Sequence, residues 1–351
     1  MHMADALISP AVGGVMWVAT AGLTAYSARK LKEGMDDRKI PLMGVLGALV
    51  FAAQMINFTI PGTGSSGHLG GAMVLAVLLG PHAAFLAMAS ILTIQALFFA
   101  DGGLLALGCN IFNMGFLPCF VAFPLIYRRI AANSRARKRV LPAALAASII
   151  GLQLGALGVV TETFFSGISE LSFKTFVLLM LPIHLVIGIV EGFVTASLVS
   201  FVGKIRPEVF EEATGPSRGK QFSIKPVLIS LVILAALTGG FLSWFASTNP
   251  DGLEWSMTMS SGNKTLQGPQ GYIHSLFSRL QGKTAILPDY GFRKDKAEGG
   301  TVSDVEKAKE NQWPSVSAGT SVAGLLGGAM SLVLVGLIGL GIRTFQRRKE
   351  K

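Results

Sequence analysis

Apolar residues fall into nine runs, at about 6–28, 41–60, 69–80, 82–99, 104–127, 140–161, 174–203, 226–246 and 317–342. Most approach the ~20 residues that a helix needs to cross a hydrocarbon core of ~30 Å. Backbone amides find no water inside lipid, so each run is predicted to be helical. The predicted fold class is an all-α polytopic membrane helix bundle of about nine transmembrane helices. The stretch 69–99 is interrupted by Gly80-Pro81-His82. Its first member, of about 12 residues, rises only ~18 Å at 1.5 Å per residue. Short segments broken by glycine and proline tend to mark the binding region of a transporter.

Composition narrows the class. Of 351 residues, 51% are hydrophobic and 14% charged, against the ~25% charged residues of a soluble domain. A cytosolic enzyme, a disordered chain and a secreted disulfide scaffold are excluded. Cys109 and Cys119 lie inside an apolar run, where packing is the expected role. Before Arg29 there is no Lys or Arg, and Asp5 stands where a signal peptide would be basic, so Met1 is expected to remain in the mature protein.

The net charge of +10 comes from 30 basic residues, 21 of which form four clusters. These are Arg29, Lys30, Lys32, Arg38 and Lys39; Arg128, Arg129, Arg135, Arg137, Lys138 and Arg139; Lys204, Arg206, Arg218, Lys220 and Lys225; and Arg343, Arg347, Arg348, Lys349 and Lys351. Short basic loops face the cytoplasm. All four clusters can do so together if an odd number of crossings separates residue 68 from residue 128, which the split of 69–99 provides. The N-terminus is then outside and the C-terminus cytoplasmic, in the inner cell membrane. The 247–315 loop balances eight basic residues with eight acidic ones. The charge therefore reports orientation, with a secondary attraction to anionic membrane lipid and no nucleic-acid partner. Lys204–Lys225 is polar, carries Pro207 and Pro216, and precedes Pro226. It reads as a cytoplasmic linker, 204–225, between a 1–203 core and a 226–351 two-span module with a large external loop.

Gly62-Thr63-Gly64-Ser65-Ser66-Gly67 matches G-x-G-x-x-G, but it lacks the βαβ setting of a dinucleotide site, and His68-Leu69 replaces the Lys-Ser/Thr of a P-loop. It is expected to be a flexible outer loop, and ATP hydrolysis is expected on separate proteins. The sharper signal is Met1-His2-Met3, on the same face as His68. The terminal amine, the His2 amide nitrogen and His2 Nδ1 can close two fused chelate rings around one metal, and a loop imidazole can fill the remaining position. Planar nitrogen coordination suits nickel(II) or copper(II). The candidate metal ligands are thus Met1, His2 and His68, with no catalytic residue and no cofactor. A membrane metalloenzyme is the alternative, but it needs an open coordination position and a general base, for which only Asp5 and Asp101 are near in sequence. His184 and Glu191 share one helical face seven residues apart, and Gln54, Asn57, Gln95, Asn110, Asn113, Gln153 and Glu162 are scattered through or beside the spans. Interhelical hydrogen bonding is the expected role of the amides.

Met1-His2-Met3, Ser66-Gly67-His68-Leu69-Gly70-Gly71, Asn110-Ile111-Phe112-Asn113-Met114-Gly115 and Pro182-Ile183-His184-Leu185 with Glu191-Gly192 resemble the substrate-binding membrane component of nickel and cobalt energy-coupling-factor (ECF) transporters, the CbiM/NikM family. Asn249-Pro250-Asp251-Gly252-Leu253-Glu254-Trp255 and Leu287-Pro288-Asp289-Tyr290 resemble the PDGLE-type accessory subunit, here fused as in NikMN proteins. The resemblance implies metal held by the amine of Met1, the amide and imidazole of His2, and His68. It implies ATP-driven uptake of nickel(II), with cobalt(II) for corrinoid synthesis as the alternative, and partners comprising a transmembrane coupling subunit and paired ATPase subunits. Many relatives continue Met-His with Ile and Pro where this chain has Met3-Ala4; the chelate uses only the residue 2 amide.

Overall fold

The computed structural model describes residues 1–33, 39–132, 137–205, 224–262, 269, 271–293 and 313–347. Arg38, Arg135, Arg206, Arg218, Lys220, Arg348, Lys349, Lys351 and most of the 204–225 linker lie outside them. Among the described residues, six helices are long and apolar enough to cross a membrane: α1 (Pro10–Lys32), α4 (Pro81–Phe98), α5 (Leu107–Ala131), α6 (Val140–Ser166), α7 (Phe173–Ile205) and α11 (Ala318–Arg347, apolar through Thr344). Two shorter apolar helices, α2 (Lys39–Gln54) and α8 (Lys225–Gly240), join the bundle. Between α2 and α4 lies α3 (Ala72–Leu79), 8 residues long, which ends where Gly80 turns to φ 84°. The predicted break at Gly80-Pro81 is thus real, and α3 rises only ~12 Å. Ser9 caps α1 with Pro10 in the first turn, the arrangement that satisfies orphan amides without asking proline for a donor.

The glycine-rich stretch differs from its expected form. It is a β-hairpin, with β1 (Phe58–Ile60) antiparallel to β2 (Ser65–Gly67) in the register Phe58↔Gly67, Thr59↔Ser66, Ile60↔Ser65. Its other edge is held by the C-terminal module: Ser66 N donates to Pro250 O at 2.8 Å, and Ser66 Oγ donates to Asn249 O at 2.8 Å. That long-range pairing is invisible to a local reading of Gly-Thr-Gly. The segment that follows α8 is likewise structured, with α9 (Gly252–Ser261) and α10 (Tyr272–Thr284).

The module packs directly on the core. Gly44 and Gly47 of α2 face α11 so closely that added Cβ atoms would stand 2.9 Å from Leu332 O and 3.3 Å from Val335 Cγ2. α8 and α11 cross backbone to backbone at Gly239 and Gly324, where a Cβ on Gly239 would lie 3.0 Å from the Gly324 carbonyl carbon. Small residues at such crossings replace the hydrophobic drive that lipid removes. Gly324→Leu is therefore expected to force the two helices apart at a cost of ~1–3 kcal/mol, read as a lowered melting temperature of the detergent-solubilised protein. An unchanged melting curve contradicts the crossing.

Candidate metal centre

Chain termini usually fray; this one is driven into the core. Met1, Met3, Leu7 and Ile8 are all buried, the last three completely. The segment is held in extended form by Asn110, whose side chain accepts from Met3 N at 2.8 Å and donates to Met3 O at 3.2 Å, and by Gly103 N, which donates to the same carbonyl at 2.8 Å. Gly102 makes the close approach possible. Its φ is 81°, and a Cβ there would lie 2.9 Å from Asn110 Nδ2 and 3.4 Å from His2 Cβ. Asp5 accepts from Ala106 N at 3.0 Å, and His274 Nε2 of α10 lies 3.0 Å from Ile8 O.

The three predicted residues are brought together. Met1 N stands 3.3 Å from His68 Nε2, and the His2 and His68 rings stack with centroids 5.1 Å apart. A chain of carboxamides assigns the His2 proton. Gln54 Nε2 donates to Gly70 O at 2.7 Å, and a carbonyl only accepts. Gln54 Oε1 is then left to accept from Gln95 Nε2 at 2.8 Å, and Gln95 Oε1 to accept from His2 Nε2 at 3.2 Å. His2 Nε2 therefore carries the hydrogen and Nδ1 the lone pair, the form that the chelate requires. Metal-bound histidines are commonly oriented by such an outer partner. His68 follows the same rule: Nδ1 donates to Leu69 O at 3.1 Å, and the Nε2 lone pair faces the amine. The His2 amide itself makes no hydrogen bond among the described residues, whereas the next amide is tied to Asn110.

Two carboxylates flank these nitrogens, and neither is among the predicted ligands. Asp251 Oδ2 lies 3.5 Å from the terminal amine while its other oxygen, Oδ1, caps α9 by accepting from Glu254 N at 2.7 Å. Asp101 Oδ1 lies 3.3 Å from His2 Nδ1, and its Oδ2 accepts from Tyr290 O–H at 2.5 Å. A lone pair facing a carboxylate oxygen at this distance is a position that favours a cation between them. The sequence offered Asp101 only as a candidate general base and Asp251 only within the Asn249–Trp255 motif, with nothing that joined them. No group of three His, Cys, Asp or Glu side chains is arranged as a metal site among the described residues; two of the four candidate donors here belong to the backbone. Glu191, by contrast, serves the fold. It accepts from Gly70 N at 2.7 Å and faces the amides of Gly71 and Met73 at the start of α3. Gln54–Gln95 and Gln153–Leu181 bond between helices as expected, whereas Asn110 clasps the terminal segment.

Electrostatics favour neutral imidazoles. Burial, reinforced by the positive terminal amine, lowers His2 and His68 from 6.5 to about 3. Burial pushes the Asp251 carboxyl up, but the amine, His68 and the Glu254 amide outweigh it and leave it at about 2. Asp101 is raised, chiefly by burial.

The family profile described as "cobalt uptake substrate-specific transmembrane region" matches residues 2–209, and the PDGLE domain matches residues 225–344. The chain is 32% identical over 316 residues to the fused nickel transport protein NikMN of Rhodobacter capsulatus, covering 83% of this chain and 88% of that one. It is 28% identical to the cobalt transport protein CbiM of Geobacter sulfurreducens, covering 68% and 70%. A crystal structure of a truncated transition metal transporter aligns with 32% identity and a TM-score of 0.52, covering 58% of this chain and 99% of that one.

Because the folded pKa values of His2 and His68 lie below the unfolded 6.5, an undocked terminus takes up protons that the docked one refuses. Docking is therefore strongest above ~6.5 and weakens as pH falls toward ~3. Nitrogen-15 spectra of labelled histidine are expected to show both rings neutral at pH 5. Half-protonation of either near 6.5 contradicts this burial.

Proposed function

Since the chain belongs to the family of cobalt-uptake substrate-specific transmembrane proteins and carries a PDGLE domain behind that region, we propose that it is the metal-binding subunit of an ATP-driven ECF importer. It captures nickel(II) on the outer face of the cytoplasmic membrane and delivers it inward; it is a transporter and not an enzyme. The observation that carries this reading is the convergence of the Met1 amine, His2 Nδ1 and His68 Nε2, with the ring protons already parked on Gln95 and Leu69. The His2 amide completes a four-nitrogen set. Binding displaces the protons of the amine and that amide; Asp251, which faces the ammonium, and Asp101, which faces the His2 lone pair, then balance the metal's charge.

Four nitrogens in a plane suit nickel(II) or copper(II), and the reading of nickel rests on the fused arrangement, which resembles that of the nickel transport protein from Rhodobacter capsulatus. Cobalt(II) is the second reading, supported by the similarity to CbiM. Orientation is supported by the distribution of charge along each helix. Met3 meets Asn110 near the start of α5, and Arg128 and Arg129 lie at its other end; α1 carries Arg29, Lys30 and Lys32 away from Met1, and α7 ends at Lys204. The basic ends then face the cytoplasm. The domain division follows the same reading: 1–203 holds the ligands, and 226–351 braces them through Asp251 and Tyr290.

Adding one residue before Met1, or acetylating it, is expected to abolish tight nickel binding without disturbing the fold; full retention by isothermal titration contradicts the site. The coupling subunit is assigned to α1, where Ala21 and Ala25 are both exposed one helical turn apart and admit a close helix. Ala21→Leu with Ala25→Leu is expected to stop uptake in cells carrying the partner subunits while nickel binding persists. Undiminished uptake contradicts that docking face.

A further inference from the structure

A third histidine stands beside the four-nitrogen set without belonging to it. His184 is 1% exposed in α7. It lines one small cavity together with Met1, His68, Met114 and Asp251, with room for about one water-sized guest. Its Nδ1 lies 2.8 Å from the Met180 carbonyl. A carbonyl only accepts, so Nδ1 carries the hydrogen and Nε2 the lone pair. His68 is built alike, with Nδ1 held by a carbonyl and Nε2 free to ligate.

The position of His184 along α7 gives it a role. Gly70 meets Glu191, Gly67 packs on Ile187, and Gly252 of the module packs on Ile183 and within 3.4 Å of His184 Cε1, counted from a Cβ built on the glycine. His184 is thus a turn nearer the Phe173 end of α7 than the hairpin is, directly beneath the turn that carries Asp251. In the orientation proposed above, this is the side from which metal arrives.

We infer that His184 Nε2 is an entry donor for the incoming metal ion, which passes from it to His68 under the Asp251 turn; the inference rests on the N-terminal capture site proposed above. In the exchange the bond from metal to His184 Nε2 breaks as the bond from metal to His68 Nε2 forms. Both imidazoles keep their hydrogen on Nδ1, the metal stays divalent, and neither proton nor electron passes between the rings. The planar nitrogen site leaves the faces of the metal open to such a second imidazole, and the Met1 and Met114 side chains on the cavity wall add soft thioethers suited to a late transition metal.

A donor that only hands metal over changes rates in both directions, whereas a structural residue changes affinity. In stopped-flow experiments on the full chain, His184→Gln is expected to slow nickel association and dissociation together by at least about tenfold, the scale of an orienting or ligating group at a metal site. The equilibrium constant then hardly moves. Unchanged association, or a loss of affinity equal to the loss of association rate, overturns the inference. A second measurement needs no change at position 184. Copper(II) bound to His68→Ala is expected to show two coordinated imidazoles by pulsed electron paramagnetic resonance, those of His2 and His184. A single imidazole overturns the entry donor, whereas absence of the His2 imidazole from the wild-type chain defeats the capture site itself.

Discussion

A free amino terminus and two imidazoles taken out of water need partners, and the polar architecture around residues 1–3 follows from that need. An ion buried without compensation costs several kcal/mol. Here the amine meets Asp251 and His68, the His2 ring meets Gln95 and Asp101, and the following peptide is clasped by Asn110 and Gly103. Each partner is itself fixed by another element: Gln95 by Gln54 and the hairpin exit at Gly70, Asp101 by Tyr290, Asp251 by the start of α9. The preorganisation that orients the lone pairs is thus distributed over α2, α4, α5 and the module, and no single loop makes the site.

This distribution explains why the C-terminal module lies against the core. Its α11 packs on α2 at Gly44 and Gly47, and its α8 crosses α11 at Gly239 and Gly324. They thereby position two segments, around Asn249–Asp251 and Tyr290, that reach the core. One edges the hairpin that carries His68 and places a carboxylate on the amine; the other places a phenol on Asp101 and stacks Tyr290 on Phe99, with ring centroids 5.2 Å apart. Through these segments a carboxylate of the module comes within 3.5 Å of the terminal amine.

Much of the fold was legible because lipid makes the code simple: apolar length gives helices, and Gly80-Pro81 gives the break. The nearness of His2 to the terminal amine was legible because it needs no tertiary contact, whereas His68 entered the candidate set only as a loop imidazole on the same face. The hairpin was not legible. Its outer edge partner, Asn249–Asp251, lies far along the chain, so Gly62–Gly67 read alone looks like a loop. Gln54 and Gln95 were recognised as interhelical hydrogen-bonding groups, but their further task of assigning the His2 tautomer depends on the Gly70 carbonyl at the end of the relay. Asp101 and Asp251 were hidden for the same reason. A carboxylate becomes part of a metal site through what it faces, which only the folded chain supplies.

The central claim is that nickel is held by nitrogen from the first two residues and from His68, in a plane. X-ray absorption at the nickel edge of the full, metal-loaded protein tests it most directly. Four short nitrogen contacts, with the pre-edge feature of a planar site and an imidazole scattering pattern, are the expected result. An octahedral, oxygen-rich spectrum, unchanged when a residue is added before Met1, would contradict it.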